Sequence, residues 1–250
     1  MGRPAASGLL ALVLGMGLGL GLGLGLGLAG CDRAPAPAPP AAASGPVAAA
    51  PGPAASVAEG GFTTSIKARI RPDLPEMNFT LRADASPDAS GTLFVKAIEI
   101  RRGTDTEPVQ RIAGLDTQTP WSAQAPGLEA VDLNFDGYAD IRLVESRPAG
   151  PNLPYLHWLY DPASGRFVAS AALNDLGSPR PDAAARELVS DWRDTATRYG
   201  TDHHAFQGGQ LVPLRREARD YKGPGVYTLT ASRWVDGRWQ VVQSRPGRDP

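Results

Sequence analysis

Val131 to Leu143 reads VDLNFDGYADIRL, and within it Asp132, Asn134, Asp136 and Asp140 surround the single glycine Gly137. Oxygen-bearing side chains at positions 1, 3, 5 and 9 of a tight loop can converge on a hard cation. Glycine at position 6 permits the sharp turn, and the backbone carbonyl at position 7, here Tyr138, adds a ligand. An oxygen-only donor set without Cys or His favours calcium over zinc. Position 12 departs from the helix-flanked calcium loop, because Leu143 stands where a bidentate glutamate would be. The flanks Leu128–Leu133 and Tyr138–Glu145 have strand character. The spacing therefore predicts a DxNxDGxxD loop between two strands, stapled by calcium in a structural role. The same residues also allow an Asx-rich turn that closes a hairpin without any ion, which needs only Asn134, Asp136 and Gly137.

Outward from this loop the apolar residues recur with period two. Phe62, Thr64, Ile66, Ala68 and Ile70 alternate with polar neighbours, as do Met77, Phe79 and Leu81, and then Leu93, Val95 and Ala97 with Ile98 and Ile100 beyond. Further strands are predicted at 155–160, 166–170, 188–192, 203–206, 211–216, 226–234 and 238–243. Asp161-Pro162-Ala163-Ser164-Gly165, Gly208-Gly209 and Asp236-Gly237 are turns of the kind that join antiparallel neighbours, the last as a two-residue hairpin between Trp234 and Trp239. One short helix is expected over 179–187. Short strands at near-regular spacing predict an all-β domain of antiparallel strands, in a sandwich or a β-propeller-like arrangement. Trp158, Tyr160, Phe167, Trp192, Trp234 and Trp239 are expected in its core, since large rings dominate burial in β folds.

The N-terminal residues belong to a different regime. After Arg3, an apolar Leu/Gly run ends at Leu28-Ala29-Gly30-Cys31, the pattern of a bacterial lipoprotein signal peptide over 1–30 with its lipobox. Cys31 is the only cysteine, so no intrachain disulfide can form. Its predicted role is lipidation, with two or more acyl chains giving a stable membrane anchor. The following residues to about Gly60 are Ala and Pro with Gly and Ser, nearly without charge. Such a stretch cannot bury enough side chain to offset the entropy of ordering. A disordered tether of this length spans at most about 90 Å. The predicted division is signal peptide 1–30, lipidated Cys31 with tether 31–60, and β domain 61–250, in the periplasm on the inner or outer membrane.

Charge and motifs exclude several functions. Without Arg3 the chain carries 24 basic against 26 acidic residues, a balance that argues against nucleic acid as a partner. His157 lies in an aromatic strand and is expected to pack there. His203 and His204 are adjacent and would leave a strand on opposite faces, so they cannot chelate one metal together. No GxSxG, HExxH or CxxC motif occurs, and the chain is not expected to be an enzyme.

Several stretches carry a family resemblance. AVDLNFDGYADIRLVES, LHWLYDPASGRFV, ALNDLGSP, DWRDTATRYG and YTLTASRWVDGRWQVV resemble a family of bacterial periplasmic lipoproteins with a β-propeller-like, calcium-binding domain. That family includes immunity proteins against peptidoglycan-cleaving effectors of antibacterial type IV secretion, and its fold is similar to that of periplasmic inhibitors of invertebrate-type lysozyme. The resemblance spans roughly 127–242 and is most specific at NFDGYADIRL and WLYDPASGRF; 62–121 match only in pattern. It implies a protein that binds and inhibits a lysozyme-like muramidase. From chemistry and placement, the segment Asp191–His204 is the candidate inhibitory loop. Arg198 would pair with an acidic residue of the partner, and Tyr199 would enter its sugar cleft. The competing expectation is a structural or assembly lipoprotein of the envelope with no inhibitory activity.

Overall fold

A computed structural model describes residues 56–58, 61–150 and 152–249. The signal peptide, Cys31 and most of the tether lie outside the described residues. Among those described, no helix is long and apolar enough to cross a membrane.

The period-two segments form antiparallel strands throughout. In the first sheet, β1 (Ser56–Ala58), β2 (Gly61–Arg69), β3 (Glu76–Ala83), β5 (Val95–Arg102) and β6 (Gln110–Ala113) lie side by side in that order. Two short strands, β4 (Thr92–Leu93) and β7 (Thr119–Pro120), pair separately. The middle sheet follows the order β11-β10-β9-β8, made of β8 (Leu128–Val131), β9 (Asp140–Val144), β10 (Tyr155–Asp161) and β11 (Arg166–Ala169). The third is a meander of six strands in chain order: β12 (Arg180–Asp182), β13 (Glu187–Arg193), β14 (Arg198–Gln207), β15 (Gln210–Gly223), β16 (Val226–Val235) and β17 (Arg238–Arg248).

Alternation along β9 and β10 decides how the sheets pack. Ile141, Leu143, Trp158 and Tyr160 project to one side and join Phe62, Ile66, Phe79, Leu81, Ile98 and Ile100 of the first sheet in the larger core. The other side presents Leu159, with Val131 of β8, to a smaller cluster of Leu133, Phe135, Leu173 and Leu188, against which Phe206 and Leu211 of the third sheet also pack. The middle sheet is thus covered on both faces. Each fully buried aliphatic side chain contributes about 1.5–3 kcal/mol relative to exposure, so both clusters matter to stability.

Ser56–Ala58 pairs with Gly61–Thr63 as an edge strand. Two expectations need correction. No helix forms over 179–187. Pro181 pairs with Leu188 on an edge strand, where its missing N–H is harmless, and Arg186 turns the chain at φ 54. The helix that does form is a single turn, α1 (Ala171–Asn174). Of the six aromatics assigned to the core, Trp158, Tyr160 and Phe167 are buried, whereas Trp192, Trp234 and Trp239 are half-buried on the third sheet. There the Arg216 guanidinium lies 4.9 Å from the Trp192 ring centroid and 4.6 Å from that of Trp239, and it also bonds Asp202. Cation–π stacking replaces burial for Trp192 and Trp239, and Trp234 packs edge-on against Trp239 at 5.1 Å.

One glycine is required by that arrangement. A Cβ on Gly200 would lie 2.0 Å from Trp192 Cζ2 and 2.7 Å from the Glu217 carbonyl oxygen, because the indole lies across Gly200, its register partner. Gly200→Ala is expected to cost about 1–3 kcal/mol through overpacking. A lowered unfolding midpoint and a red-shifted tryptophan emission would report it, and an unchanged midpoint would contradict it.

Candidate functional site

Asp132 to Asp140 close on themselves through side-chain acceptors and backbone donors. The Asp136 N–H donates to Asn134 Oδ1 (3.0 Å), the Tyr138 N–H to Asp136 Oδ1 (2.8 Å) and the Gly137 N–H to Asp132 Oδ2 (3.0 Å). Asn134 Nδ2 donates to Asp136 Oδ2 at 2.9 Å. These Asx turns force Phe135 to φ 60 and Gly137 to φ 89. The left-handed region costs a non-glycine residue about 1–2 kcal/mol. Phe135 offsets that cost by placing its ring in the smaller core cluster.

Asp140 has a distinct role. Its side chain is fully buried, and its two oxygens each accept a backbone N–H at 2.8 Å: Oδ2 from Leu133 and Oδ1 from Tyr160. The first bond closes the loop, and the second ties it to β10. Two further contacts reach the other sheets. The Ala139 N–H donates to the Ile70 carbonyl just past β2 (2.8 Å), and Arg186, between β12 and β13, donates to the Phe135 carbonyl (2.5 Å). Tyr138 stacks on Tyr160 with centroids 5.4 Å apart, and its hydroxyl accepts from Arg71 at 2.5 Å. The loop is therefore a junction touching all three large sheets.

The electrostatics record the cost of this placement. Burial pushes the Asp140 carboxyl up to about 7, against the two N–H bonds that favour its charged form and with added repulsion from Asp136 and Asp132. Asp132 is also raised, mainly by burial. Its Oδ1 is buried with no hydrogen-bond partner. That orphaned acceptor and the all-oxygen donor set fit a hard divalent cation in chemistry. Among the described residues, however, no group of three or more His, Cys, Asp or Glu side chains is spaced to hold a metal ion. Asp140 directs its two oxygens to the Leu133 and Tyr160 N–H groups.

The candidate inhibitory segment is a hairpin. Strands β13 and β14 pair from Leu188↔His204 to Arg193↔Tyr199, so only Asp194 to Thr197 form the tip. Arg198 and Tyr199 open β14, and their side chains leave it on opposite faces. Arg198 donates to Asp194 Oδ2 (3.0 Å) and lies over the Trp192 ring. Tyr199 donates its hydroxyl to the Ala196 carbonyl (2.7 Å), contacts Tyr221 edge-on at 5.8 Å and carries Arg193 4.8 Å from its centroid. Tyr199 is 36% exposed. It borders a recess of about 330 Å³ lined also by Asn152, Asp191, Thr201, Glu217 and Arg219. The recess is not legible in the sequence, because Glu217 and Arg219 lie on β15 beyond the predicted strand 211–216.

The histidines behave as their positions require. His157 is fully buried with Nδ1 3.1 Å from Asn174 Oδ1, and burial pushes it down to about 4. It is neutral near pH 7. His203 meets Glu187 and Arg215 on the open face of the third sheet, while His204 is buried on the other.

No family model matches the chain, and no curated protein matches it in sequence. A solved structure, described as that of a Xanthomonas type IV secretion system related protein, is similar to it. The superposition has a TM-score of 0.54 at 15% identity and covers 72% of this chain and 99% of that one. At that identity the likeness establishes a shared fold.

The raised Asp140 sets a pH dependence. The folded state holds this proton more tightly than the unfolded chain, whose Asp titrates near 3.8. In a chelator, the contribution of this group to stability should therefore be greatest below about pH 4, fall as pH rises through the window to about 7, and level off above it. The decline at this group is on the order of 4 kcal/mol at most. Thermal unfolding between pH 4 and pH 8 of wild type and Asp140→Asn checks it, and an equal slope in both proteins would rule Asp140 out as its source.

Proposed function

We propose that this chain is an exported lipoprotein, anchored through Cys31 and holding calcium at the Asp132–Asp140 loop, which binds and inhibits a lysozyme-like enzyme that cleaves peptidoglycan. The observation that carries the reading is the fold shared with a type IV secretion system related protein over 99% of that protein's length. It agrees with the family resemblance of residues 127–242. In this reading the chain is no enzyme itself; it protects an envelope against a delivered effector.

The hairpin supplies suitable contact chemistry. Tyr199 stands at the mouth of the recess with its ring held between Arg193 and Tyr221. Prior ordering lowers the entropy lost on association. Arg198, beside the tip and paired with Asp194, can exchange that exposed carboxylate for one of the partner's at little net cost, since exposed pairs are worth about 1 kcal/mol or less.

For the ion, Asp132, Asn134, Asp136 and Asp140 with the Tyr138 carbonyl would be the ligands. A bound calcium supplies positive charge that stabilises carboxylates burial otherwise disfavours. Asp140 then holds its charged form near neutral pH, and the orphaned Asp132 Oδ1 gains a partner.

Two outcomes follow. Tyr199→Ala should weaken inhibition of the cognate lysozyme-like enzyme at least about tenfold while the melting temperature stays put; a fall in both would return Tyr199 to a structural role, and no inhibition of any lysozyme type by wild type would remove the reading. Chelation should lower the melting temperature by mass action, and Asp136→Ala should abolish that response. A melting temperature indifferent to calcium leaves the loop an ion-free Asx turn.

A further inference from the structure

We infer that the open face of the six-stranded sheet, centred on Tyr199, Tyr221 and Tyr227, is the docking surface for a partner protein, and that the partner's contact surface is acidic. This rests on the reading that the hairpin engages another protein, and it names that protein's chemistry.

Register defines the face. Tyr199 pairs with Arg219, Arg219 with Leu229 and Leu229 with Arg245, so these four share one side of the sheet. The adjacent row is Tyr221, Tyr227 and Gly247. Its rings join the first row: Tyr221 contacts Tyr199 at 5.8 Å and Tyr227 at 5.2 Å. Gly247 carries no side chain where a Cβ would lie 2.3 Å from the Tyr227 ring, so that ring lies down across the sheet. Arg219 sits 5.2 Å from the Tyr227 centroid, as Arg193 sits over Tyr199. Tyrosines with stacked guanidinium groups on an ordered strand are the residue types that dominate binding energy at protein interfaces.

Charge names the occupant. By register the open face carries Arg193, Arg215, Arg219, Arg233, Arg238 and Arg245 against Glu187, Asp191 and Glu217, with Asp249 bonded to Tyr221. Arg233, Arg238 and Arg245 fall on the open face by register. They are exposed, and among the described residues their side chains make no hydrogen bond or ion pair. The opposite face turns Leu188, Ser190, Asp202, His204, Ala218 and Ser232 inward, all buried. A basic surface steers acidic partners and disfavours basic ones. A flat anionic bilayer would meet the charge equally well, but it has no use for the 330 Å³ recess between Arg193 and Arg219, lined also by Asp191 and Glu217, which accepts a protruding side chain. A protein is the occupant that uses both.

The test measures binding of the full chain to immobilised poly-L-glutamate at low salt, and to vesicles of phosphatidylcholine mixed with phosphatidylglycerol. Wild type, Arg219→Glu/Arg245→Glu and a control, Arg147→Glu, outside this sheet, are compared. Poly-glutamate affinity should fall at least about tenfold in the double variant and hold in the control, with all three melting alike. Equal affinity in the three proteins, no poly-glutamate binding by wild type, or a vesicle interaction that is tighter and lost in the double variant would each overturn the inference. A double variant that melts early is replaced by Arg233→Glu/Arg238→Glu, whose side chains contact no described partner, read by the same criterion. Wild type that binds poly-glutamate through this face yet inhibits no lysozyme would overturn the inhibitor reading alone. A double variant that still inhibits a lysozyme as wild type does would overturn this inference alone.

Discussion

The fold depends on a buried carboxylate with two backbone donors. Asp140 accepts one N–H from inside its own loop and one from β10, and neighbouring residues of that loop bond the chain just past β2 and the turn before β13. Removing the carboxylate would strand two N–H groups, at least one in the core, at about 1–3 kcal/mol each. Keeping it means holding a group whose proton affinity is raised to near neutrality. The loop accepts that tension, together with a left-handed Phe135, because it is where three separate meanders meet. In a chain with one cysteine, no disulfide can take over that role.

The division of faces follows from this junction. The middle sheet lies between two apolar clusters, so both of its sides are spent on stability. The third sheet commits only one side, and the strands β15 to β17 extend well past the core. Their open side keeps tyrosines flat under guanidinium groups and leaves several arginines unpaired. Like charges on neighbouring strands repel, so a surface of that kind costs stability.

Sequence made the strands and their turns legible wherever alternation or a glycine turn was strong. The two-residue hairpins at Gly208-Gly209 and Asp236-Gly237 appear with their residues at φ 50 to 80 and with Gln207↔Gln210 and Val235↔Arg238 in register. Strand ends were less visible. β15 continues through Glu217-Ala218-Arg219-Asp220 because cross-strand pairing on both sides carries a segment with little apolar alternation. β17 passes Pro246 because an edge strand has no donor to lose on its open side. The acidic loop was found from its spacing, but Asp140 as a bonding centre was not, since position 9 of a cation loop and a buried N–H acceptor call for the same residue. The opposite orientations of Arg198 and Tyr199 became visible only once Tyr199 was placed in register with Arg193.

Native-state hydrogen exchange at single-residue resolution tests the junction most directly. If Asp132–Asp140 locks the three sheets into one cooperative unit, the amides of Leu133, Ala139 and Tyr160 will open only with the global transition, alongside Phe79 of the first sheet and Leu188 of the third. Should those three amides exchange through a local opening well below the global free energy while the sheets stay protected as separate units, the loop is a surface turn and the account built on it fails.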